Sequence, residues 1–331
     1  MLKLQQFSKQ IDEFMLYCET KGLSKKTMIS YEQTLRLFAR YISDTYKVED
    51  GKAVTEPMLR QYVKSLQERG KYTVVSDNNS KRYNFPDNRR DLGKRISNST
   101  INNYIRNLKV FFAFLKEHKY TKGNVAEKVK QIKISRKAKD FLSDNDFVSL
   151  LKNIDTSKFH EYRDYTIIQL IFDTGMRLGE CLMITMDDID INNRTILLQA
   201  ENTKGKKDRY VYFSQYMQKE VRRWIQYKDR YKDSDYLFCT IKGTLMNVGV
   251  FEANFKNYVK RIGLNEAHPH QLRNNFAKRF LMSGGDIFTL SKILGHSSVT
   301  VTEKAYLDLN DDDIRQNYQK FSPLSNLKRT R

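Results

Sequence analysis

The chain has 331 residues, enough for two domains of ordinary size, and a hydrophobic content of 40% argues against a wholly disordered protein. Lys and Arg number 59 against 39 Asp and Glu, which gives a net charge of +20. Such an excess favours a polyanionic partner, because each phosphate that a basic side chain neutralises releases condensed counterions. The alternative is a basic surface that serves solubility alone.

The basic charge is uneven along the chain. Residues 81–140 contain 17 Lys or Arg against 5 Asp or Glu, and this clustering indicates a binding face. The three cysteines, Cys18, Cys181 and Cys239, fit no metal spacing and suggest buried thiols in a reducing compartment. No apolar run approaches the length of a membrane span, and the first residues lack a signal core. We therefore expect a soluble, cytoplasmic protein that does not associate with a membrane.

The first 129 residues are predicted to form a small helical domain. Apolar residues recur at helical spacing in four segments, which can close one core. Ser24 is a predicted cap of the second helix, and the fourth is expected to begin near Asn98 or Ser99. The four segments run over residues 7–18, 28–42, 55–66 and 101–115.

Two polar stretches interrupt or follow these helices. Residues 69–97 are predicted to form either a hairpin, with Ser76–Ser80 as its turn, or a disordered loop. Residues 130–141 are basic and lack helical periodicity, which predicts a linker. Its cations can follow a phosphate backbone, although a solvated connector is the simpler alternative. The linker residues predicted to contact DNA are Arg136, Lys137 and Lys139.

From residue 142 the pattern becomes mixed. Ser143 begins a short helix, Tyr162–Phe172 is a largely apolar one, and further helices are expected around residues 215–228, 247–262, 270–282 and 286–294. Strands are predicted at Thr195–Leu198 and Arg209–Phe213, joined by a basic turn. The fold class is therefore mainly α, with a small antiparallel β-sheet in a C-terminal domain that spans residues 142–331.

Arg177 is the first of the candidate site residues. Gly175 and Gly179 bracket it after an apolar helix, which allows a tight turn and a new helix start. A guanidinium there can present two donors to phosphate oxygens, and Glu180 can orient a neighbouring cation. An ordinary Arg–Glu helix pair is the alternative.

Lys204 lies in the basic turn between the two strands, where an ammonium can reach a scissile phosphate and donate a proton to a leaving oxygen. A solvated basic turn is the alternative. Three neighbouring cations compete with Lys204 for this role and are also predicted DNA contacts: Lys206, Lys207 and Arg209.

Further candidates follow towards the C-terminus. His270 and Arg273 are three residues apart after Pro269, so they share a helix face and can bind one phosphate together. Gly295 permits a reversal that would turn His296 inward. Tyr306 follows ten residues later. A phenol with an ordinary pKa of about 10 is a weak nucleophile, so it needs adjacent cations or a base.

The ordered set Arg, Lys, His-x-x-Arg, Leu-Gly-His and Tyr, headed by Thr174-Gly175-Met176-Arg177-Leu178-Gly179-Glu180, resembles the tyrosine recombinase family of the lambda-integrase type. The resemblance rests on motifs in residues 142–331 and on helix count and charge in residues 1–134. It implies a two-domain DNA clamp whose catalytic set is Arg177, Lys204, His270, Arg273, His296 and Tyr306, supported by Glu180.

The resemblance also implies a partner, double-stranded DNA, and a homo-tetramer on two DNA sites. We expect the tail, residues 311–331, to dock on a neighbouring protomer, and accessory directionality or DNA-bending proteins are possible partners. No cofactor is expected: ATP is not needed because phosphotyrosine exchange leaves the phosphoester count unchanged, and no clustered carboxylate pair in the sequence suggests a two-metal site. Two departures from the family pattern are a His296–Tyr306 interval one residue longer than the commonest spacing and the long 69–97 stretch.

The 69–97 stretch favours a mobile-element integrase or transposase, and a Xer-like chromosomal or plasmid resolvase is the alternative. Three other classes of function remain open at the level of sequence. A type IB topoisomerase relaxes supercoils without exchanging partners, a non-catalytic DNA-binding regulator forms no covalent adduct, and a coating protein lacks single-site specificity. Tyr318 is the nearest alternative nucleophile to Tyr306.

Overall fold

A computed structural model describes residues 4–75, 85–134, 142–203, 205–264, 267–306, 315, 318–320 and 324, with the backbone alone at positions 4, 5 and 304–306. The chain divides into two compact units, Met1–Arg136 and Lys137–Arg331. The predicted fold class is confirmed, because the chain is mostly helical and its one named sheet is small and antiparallel. Residues 135–141 of the proposed linker lie outside the described residues.

The first unit contains four helices near the predicted positions: α1 (Leu4–Thr20), α2 (Lys25–Tyr46), α3 (Glu56–Glu68) and α4 (Asn98–Glu117). The Ser24 hydroxyl accepts a hydrogen bond from the Thr27 amide and caps α2 as predicted. Helix α4 begins at Asn98, as predicted, and the Ser97 hydroxyl caps it by accepting a hydrogen bond from the Thr100 amide.

The core of the first unit is rich in aromatic side chains. The ring of Phe14 lies 5.5 Å from that of Phe111 and 5.2 Å from that of Phe114, both edge-on. A buried polar contact joins α4 to α2, since the Asn107 amide donates to the Thr34 hydroxyl at 2.9 Å. Aromatic packing and this hydrogen bond fix the two helices against each other.

The long polar stretch between α3 and α4 is paired at its base. Gly70 and Arg95 form an isolated antiparallel bridge, and the Lys71 amide donates to the Lys94 carbonyl at 2.8 Å. A short 3-10 turn follows at Pro86–Asn88. The predicted hairpin turn falls in residues 76–84, outside the described part of the chain, so the choice between hairpin and loop stays open.

The second unit contains a three-stranded sheet in the order β1 (Ile189–Asp190), β2 (Thr195–Leu198), β3 (Arg209–Tyr212). The register pairs Ile196 of β2 with Ile189 of β1 and with Val211 of β3. Strands β2 and β3 were predicted. The two-residue β1 was not, because so short a strand carries no alternating pattern.

Eight helices of the second unit are described: α5 (Asp144–Lys152), α6 (Phe159–Thr174), α7 (Leu178–Leu182), α8 (Gln215–Asp229), α9 (Val248–Arg261), α10 (Pro269–Met282), α11 (Ile287–Leu294) and α12 (Val299–Tyr306). Helix α6 is buried along most of its length, and Trp224 of α8 donates its indole N–H to the Leu237 carbonyl at 2.8 Å. All three cysteines are buried and free, as predicted. This core holds the segments that carry the candidate site.

Candidate active site

The turn that presents Arg177 depends on Gly175. Helix α6 ends at Thr174, and Gly175 adopts a left-handed φ of 68°. A Cβ at Gly175 would lie 2.2 Å from a ring carbon of Phe276, so the turn also needs a residue without a side chain. Gly179 lies in α7, and a Cβ there would meet nothing within 4 Å. Gly175 is therefore the glycine that the predicted tight turn requires.

Arg177 caps the N-terminus of α7 and is held by Glu180 in two ways. Its backbone amide donates to Glu180 Oε2 at 2.8 Å, and its Nη1 donates to Glu180 Oε1 at 2.8 Å. The Arg177 side chain remains 29% exposed, whereas that of Glu180 is 3% exposed. The carboxylate therefore fixes a guanidinium that a ligand can still reach.

A second arginine shares the Glu180 carboxylate. Arg209 donates from Nη2 to Glu180 Oε2 at 2.6 Å and from Nη1 to Oε1 at 3.1 Å. Burial opposes ionisation of Glu180, yet the two arginines, Arg209 above all, hold its pKa below the usual value. The carboxylate thus stays charged while it joins α7 to β3.

Arg273 lies at the centre of the site, with a side chain that is 1% exposed. Its Nη1 donates to the Gly175 carbonyl at 2.8 Å, and its Nη2 donates to the Leu294 carbonyl at 2.8 Å. Nη2 also lies 3.0 Å from His296 Nε2. One buried guanidinium therefore joins the turn before Arg177 to the turn that carries His296.

His296 follows α11, which ends at Gly295 in a left-handed conformation with φ 64°. Since arginine can only donate, His296 Nε2 accepts from Arg273, and the imidazole proton lies on Nδ1. Nδ1 lies 2.8 Å from Thr302 Oγ1, to which it donates. The predicted inward turn at Gly295 is therefore present, and both ring nitrogens of His296 have a partner.

Tyr306 is the last residue of α12, and its side chain lies outside the described residues. Thr302 is fully buried on the same helix, four positions earlier, so the two positions share a face of α12. Through Thr302, the helix that carries the candidate nucleophile is joined to His296.

His270 is exposed near the start of α10, three residues before the buried Arg273. His268 is the N-cap of α10, and its backbone amide donates to Gln271 Oε1 at 2.8 Å. The helix begins at Pro269, which was predicted to suit a helix entry. The spacing gives His270 and Arg273 neighbouring positions on one helix face.

The basic turn is described in part. Lys206 and Lys207 are exposed, and the Thr203 hydroxyl accepts from the Lys207 amide at 3.2 Å. Arg209, by contrast, forms an ion pair with Glu180, and its side chain is 12% exposed. Four residues from the predicted sets lie outside the described part of the chain: Lys204, Arg136, Lys137 and Lys139.

The described residues contain no group of three or more His, Cys, Asp or Glu side chains arranged to hold a metal ion. Among the helices described, none is long and apolar enough to cross a membrane.

Comparison with known proteins gives the family. Residues 140–313 match the profile of the Phage integrase family, and residues 11–79 match its N-terminal SAM-like domain. The first match covers more than half of the chain. The chain belongs to the phage integrase family. It is thus a tyrosine recombinase, and the resemblance noted from the motifs is confirmed.

Relatives of this recombinase are similar over almost its whole length. Tyrosine recombinase XerC of Oceanobacillus iheyensis is 26% identical, with 98% of this chain and 99% of the relative covered. The integrase of transposon Tn1549, solved with a circular intermediate DNA, has a TM-score of 0.72 at 18% identity, covering 96% of this chain and 99% of that one. XerH, solved on a palindromic difH substrate, has a TM-score of 0.65 at 19% identity, with 94% and 84% covered. The solved structures support the fold.

Sequence reasoning missed two functional candidates of this recombinase. Thr302 gives no motif signal, since a threonine in a short helix is common. Arg209 was assigned to DNA contact because it lies in a basic run, yet its fork is turned to Glu180. Side chains alternate between the two faces of a strand, so Arg209 of β3 lies on the same face as the buried Val211, two residues further on. This spacing was a weak signal that Arg209 points into the protein.

Proposed function

We propose that this tyrosine recombinase binds duplex DNA and exchanges strands through a 3′-phosphotyrosyl intermediate at Tyr306. The phenolic oxygen attacks the scissile phosphorus in line, and the bond from phosphorus to the 5′-oxygen breaks. The phenolic proton passes to His270, and Lys204 donates a proton to the departing oxygen. A 5′-hydroxyl from another strand reverses these steps, so the number of phosphoesters is unchanged and no cofactor is needed.

The observation that carries the proposal is the position of Arg273. Its guanidinium contacts both the Gly175 turn and His296, so three separate motif segments meet around one cation. Such convergence suits a site that stabilises charge on a transferring phosphoryl group, with Arg177 as the reachable partner. Because Arg273 is buried here, its proposed contact with the phosphate requires the residues that cover it to move when DNA binds.

In this mechanism the proton on the His296 imidazole must move from Nδ1 to Nε2. To donate to a non-bridging phosphate oxygen, it needs a proton on Nε2, which now accepts from Arg273. The Thr302 hydroxyl can accept from Nδ1–H or donate to an unprotonated Nδ1, so it can satisfy either tautomer. Arg273 and His296 would then separate to bind the same phosphate.

DNA contact is proposed for both units. The exposed Lys206 and Lys207 of the basic turn are the described candidates, and the linker cations extend the set. The DNA-bound relatives XerH and the Tn1549 integrase support duplex DNA as the partner. Accessory directionality or DNA-bending proteins remain part of the proposal.

A test on supercoiled plasmids separates a recombinase from its rivals. A plasmid with two direct copies of the recognition site should be resolved into two circles by the wild type and left intact by Tyr306→Phe. Relaxation of a one-site plasmid without resolution of the two-site plasmid would indicate a topoisomerase. Binding with neither reaction would indicate a regulator.

For the biological role, the relatives support a Xer-like resolvase better than the mobile-element integrase expected from the 69–97 stretch, because curated relatives are XerC and XerD enzymes. The Tn1549 integrase, whose fold is shared, keeps the integrase as the second candidate. Sequencing of DNA covalently trapped on the protein in cells distinguishes them. One chromosomal or plasmid locus per replicon supports a resolvase, and the ends of a mobile element support an integrase.

A further inference from the structure

We infer that Arg209 is a positioning residue of the recombinase site, which joins the Arg177 segment to the His296 turn, and that it is not a DNA contact. This inference rests on the function proposed above. It reassigns a cation of the basic run from the DNA interface to the interior of the site.

The first contact of Arg209 is a two-bonded fork on Glu180. Both terminal nitrogens donate, one to each carboxylate oxygen, at 3.1 and 2.6 Å. The same carboxylate holds the amide and the side chain of Arg177. Only a planar guanidinium makes such a fork, whereas a lysine ammonium is a point charge on a flexible stem. Arg209 therefore fixes the orientation of Glu180, and through it that of Arg177.

The second contact of Arg209 reaches the other side of the site. Its Nε donates to the Ile293 carbonyl in the last turn of α11 at 3.1 Å. Gly295, next to His296, lies so close that a Cβ there would be 2.8 Å from the same Nε. The guanidinium therefore packs against the turn that carries His296.

Burial and charge exclude an easy phosphate contact. The Arg209 side chain is 12% exposed, and its Nε, Nη1 and Nη2 all donate to protein oxygens. A phosphate would have to displace Glu180, which leaves a nearly buried carboxylate without one of its two cations. Arg209 also lies at the end of β3, paired with Leu198, so it anchors the β2–β3 hairpin that carries the basic turn.

The test compares Arg209→Lys with wild type on a nicked duplex that traps the covalent adduct. We expect the cleavage rate at saturating DNA to fall by about ten- to a hundredfold, the scale of a misplaced reacting group. The Kd and the slope of log K against log salt should stay unchanged. The slope should also stay unchanged in the charge-removing variant Arg209→Gln, whereas the loss of a phosphate contact there would weaken binding and reduce that slope by about 0.9, which would overturn the inference.

Two control variants accompany this test. Lys207→Gln, at an exposed position of the basic turn, should reduce the salt slope. Arg222→Lys, an exposed arginine of α8 bonded to Asn192, should change neither rate nor slope. If Arg209→Lys cleaved DNA as fast as wild type, the inference about Arg209 would be refuted. Cleavage by wild type in the same assay would still support the proposed function. Absence of an adduct from wild type would refute the function itself.

A double-mutant cycle tests whether Arg209 acts through Glu180. In a Glu180→Gln background, Arg209→Lys should slow cleavage much less than it does in wild type, because the shared path is already broken. Additive losses would contradict the inference. Thermal unfolding of each variant is measured alongside, and an Arg209→Lys protein that unfolds at the assay temperature also contradicts it, since the residue would then be structural.

Discussion

Glu180 balances two guanidinium groups although it is almost fully buried. Its carboxylate contacts Arg177 and Arg209, and its pKa is lowered despite desolvation. A carboxyl whose pKa is lower in the folded state stabilises the fold above its unfolded value of about 4.3. That contribution is lost as the pH falls through the lower folded pKa, so it is present at neutral pH.

We expect Glu180→Gln to lower the free energy of unfolding by about 1–3 kcal/mol at neutral pH, because the three hydrogen bonds from the arginine side chains lose their charged acceptor. The deficit should narrow as the pH falls from about 4.3, where the Glu180 carboxyl of the unfolded chain begins to protonate, through the lower pKa of the folded state. Urea unfolding across this pH range measures the difference. Glu252→Gln, at an exposed position of α9, is the control. A deficit independent of pH would contradict the assignment.

Thr302 offers a second prediction for a single residue. Its hydroxyl is the partner of His296 Nδ1, so Thr302→Val leaves a part-buried imidazole nitrogen without that partner at nearly constant volume. We expect cleavage by the valine variant to slow by about tenfold, equivalent to roughly 1.4 kcal/mol. Thr302→Ser keeps the hydroxyl and should remain close to wild type. Equal rates for the two variants would argue against a role for the hydroxyl.

The helices and turns hold these residues through a few backbone positions with special requirements. Gly175 ends α6 with a positive φ beside Phe276, and Gly295 ends α11 with a positive φ beside Arg209. Arg273 of α10 then bonds the backbone of both turns, through the carbonyls of Gly175 and Leu294. The site is therefore assembled from helix ends rather than from one helix face.

Two glycines of the same motif should respond differently to alanine. Gly175→Ala introduces a Cβ in a left-handed conformation and against Phe276, and should destabilise the fold by about 2–4 kcal/mol. Gly179→Ala places a Cβ in open space inside α7 and should be neutral or stabilise by up to about 1 kcal/mol. Denaturant midpoints of the two variants measure this. Similar losses would mean that the turn does not need Gly175.

Helix positions and the β2–β3 pair could be predicted from the sequence because they follow local rules. Apolar spacing predicted the positions of α1 to α4, and Ser24 was correctly predicted as the N-cap of α2. The ordered motif nominated Arg177, Arg273 and His296, and in the structure Arg273 contacts both His296 and the Gly175 turn that precedes Arg177. The hydrogen-bond partners of these side chains could not be predicted from the sequence. Whether Arg209 turns to Glu180 or to solvent depends on the approach of α11, which is a long-range contact.

For the whole molecule, the two units have separate hydrophobic cores. One core is built from α1 to α4, including Phe14, Phe38 and Phe111, and the other surrounds α6 and Trp224. Each unit therefore has the buried surface that an independently folding domain needs. The domain limits predicted from sequence, 1–129 and 142–331, remain proposals beside the division at Arg136.

Assembly into a tetramer remains a prediction for the tail. Residues 311–331 include Ile314 and Phe321, which lie outside the described residues, and the exposed Tyr318. We expect a chain lacking residues 314–331 to bind one DNA site normally but to form no synaptic complex of two sites. Gel-shift assays with one and two sites measure this. Normal synapsis by the shortened chain would remove the tail from the assembly.

Trapping the covalent adduct is the decisive test of phosphotyrosine chemistry at Tyr306. Nicked duplexes from DNA flanking the gene are incubated with wild type or Tyr306→Phe, without metal or ATP, and resolved on a denaturing gel. We expect a slow, protease-sensitive adduct with wild type and none with the variant. An adduct with both proteins would contradict it and move the nucleophile elsewhere, with Tyr318 as the next candidate. Tight binding without an adduct from wild type would contradict covalent catalysis altogether.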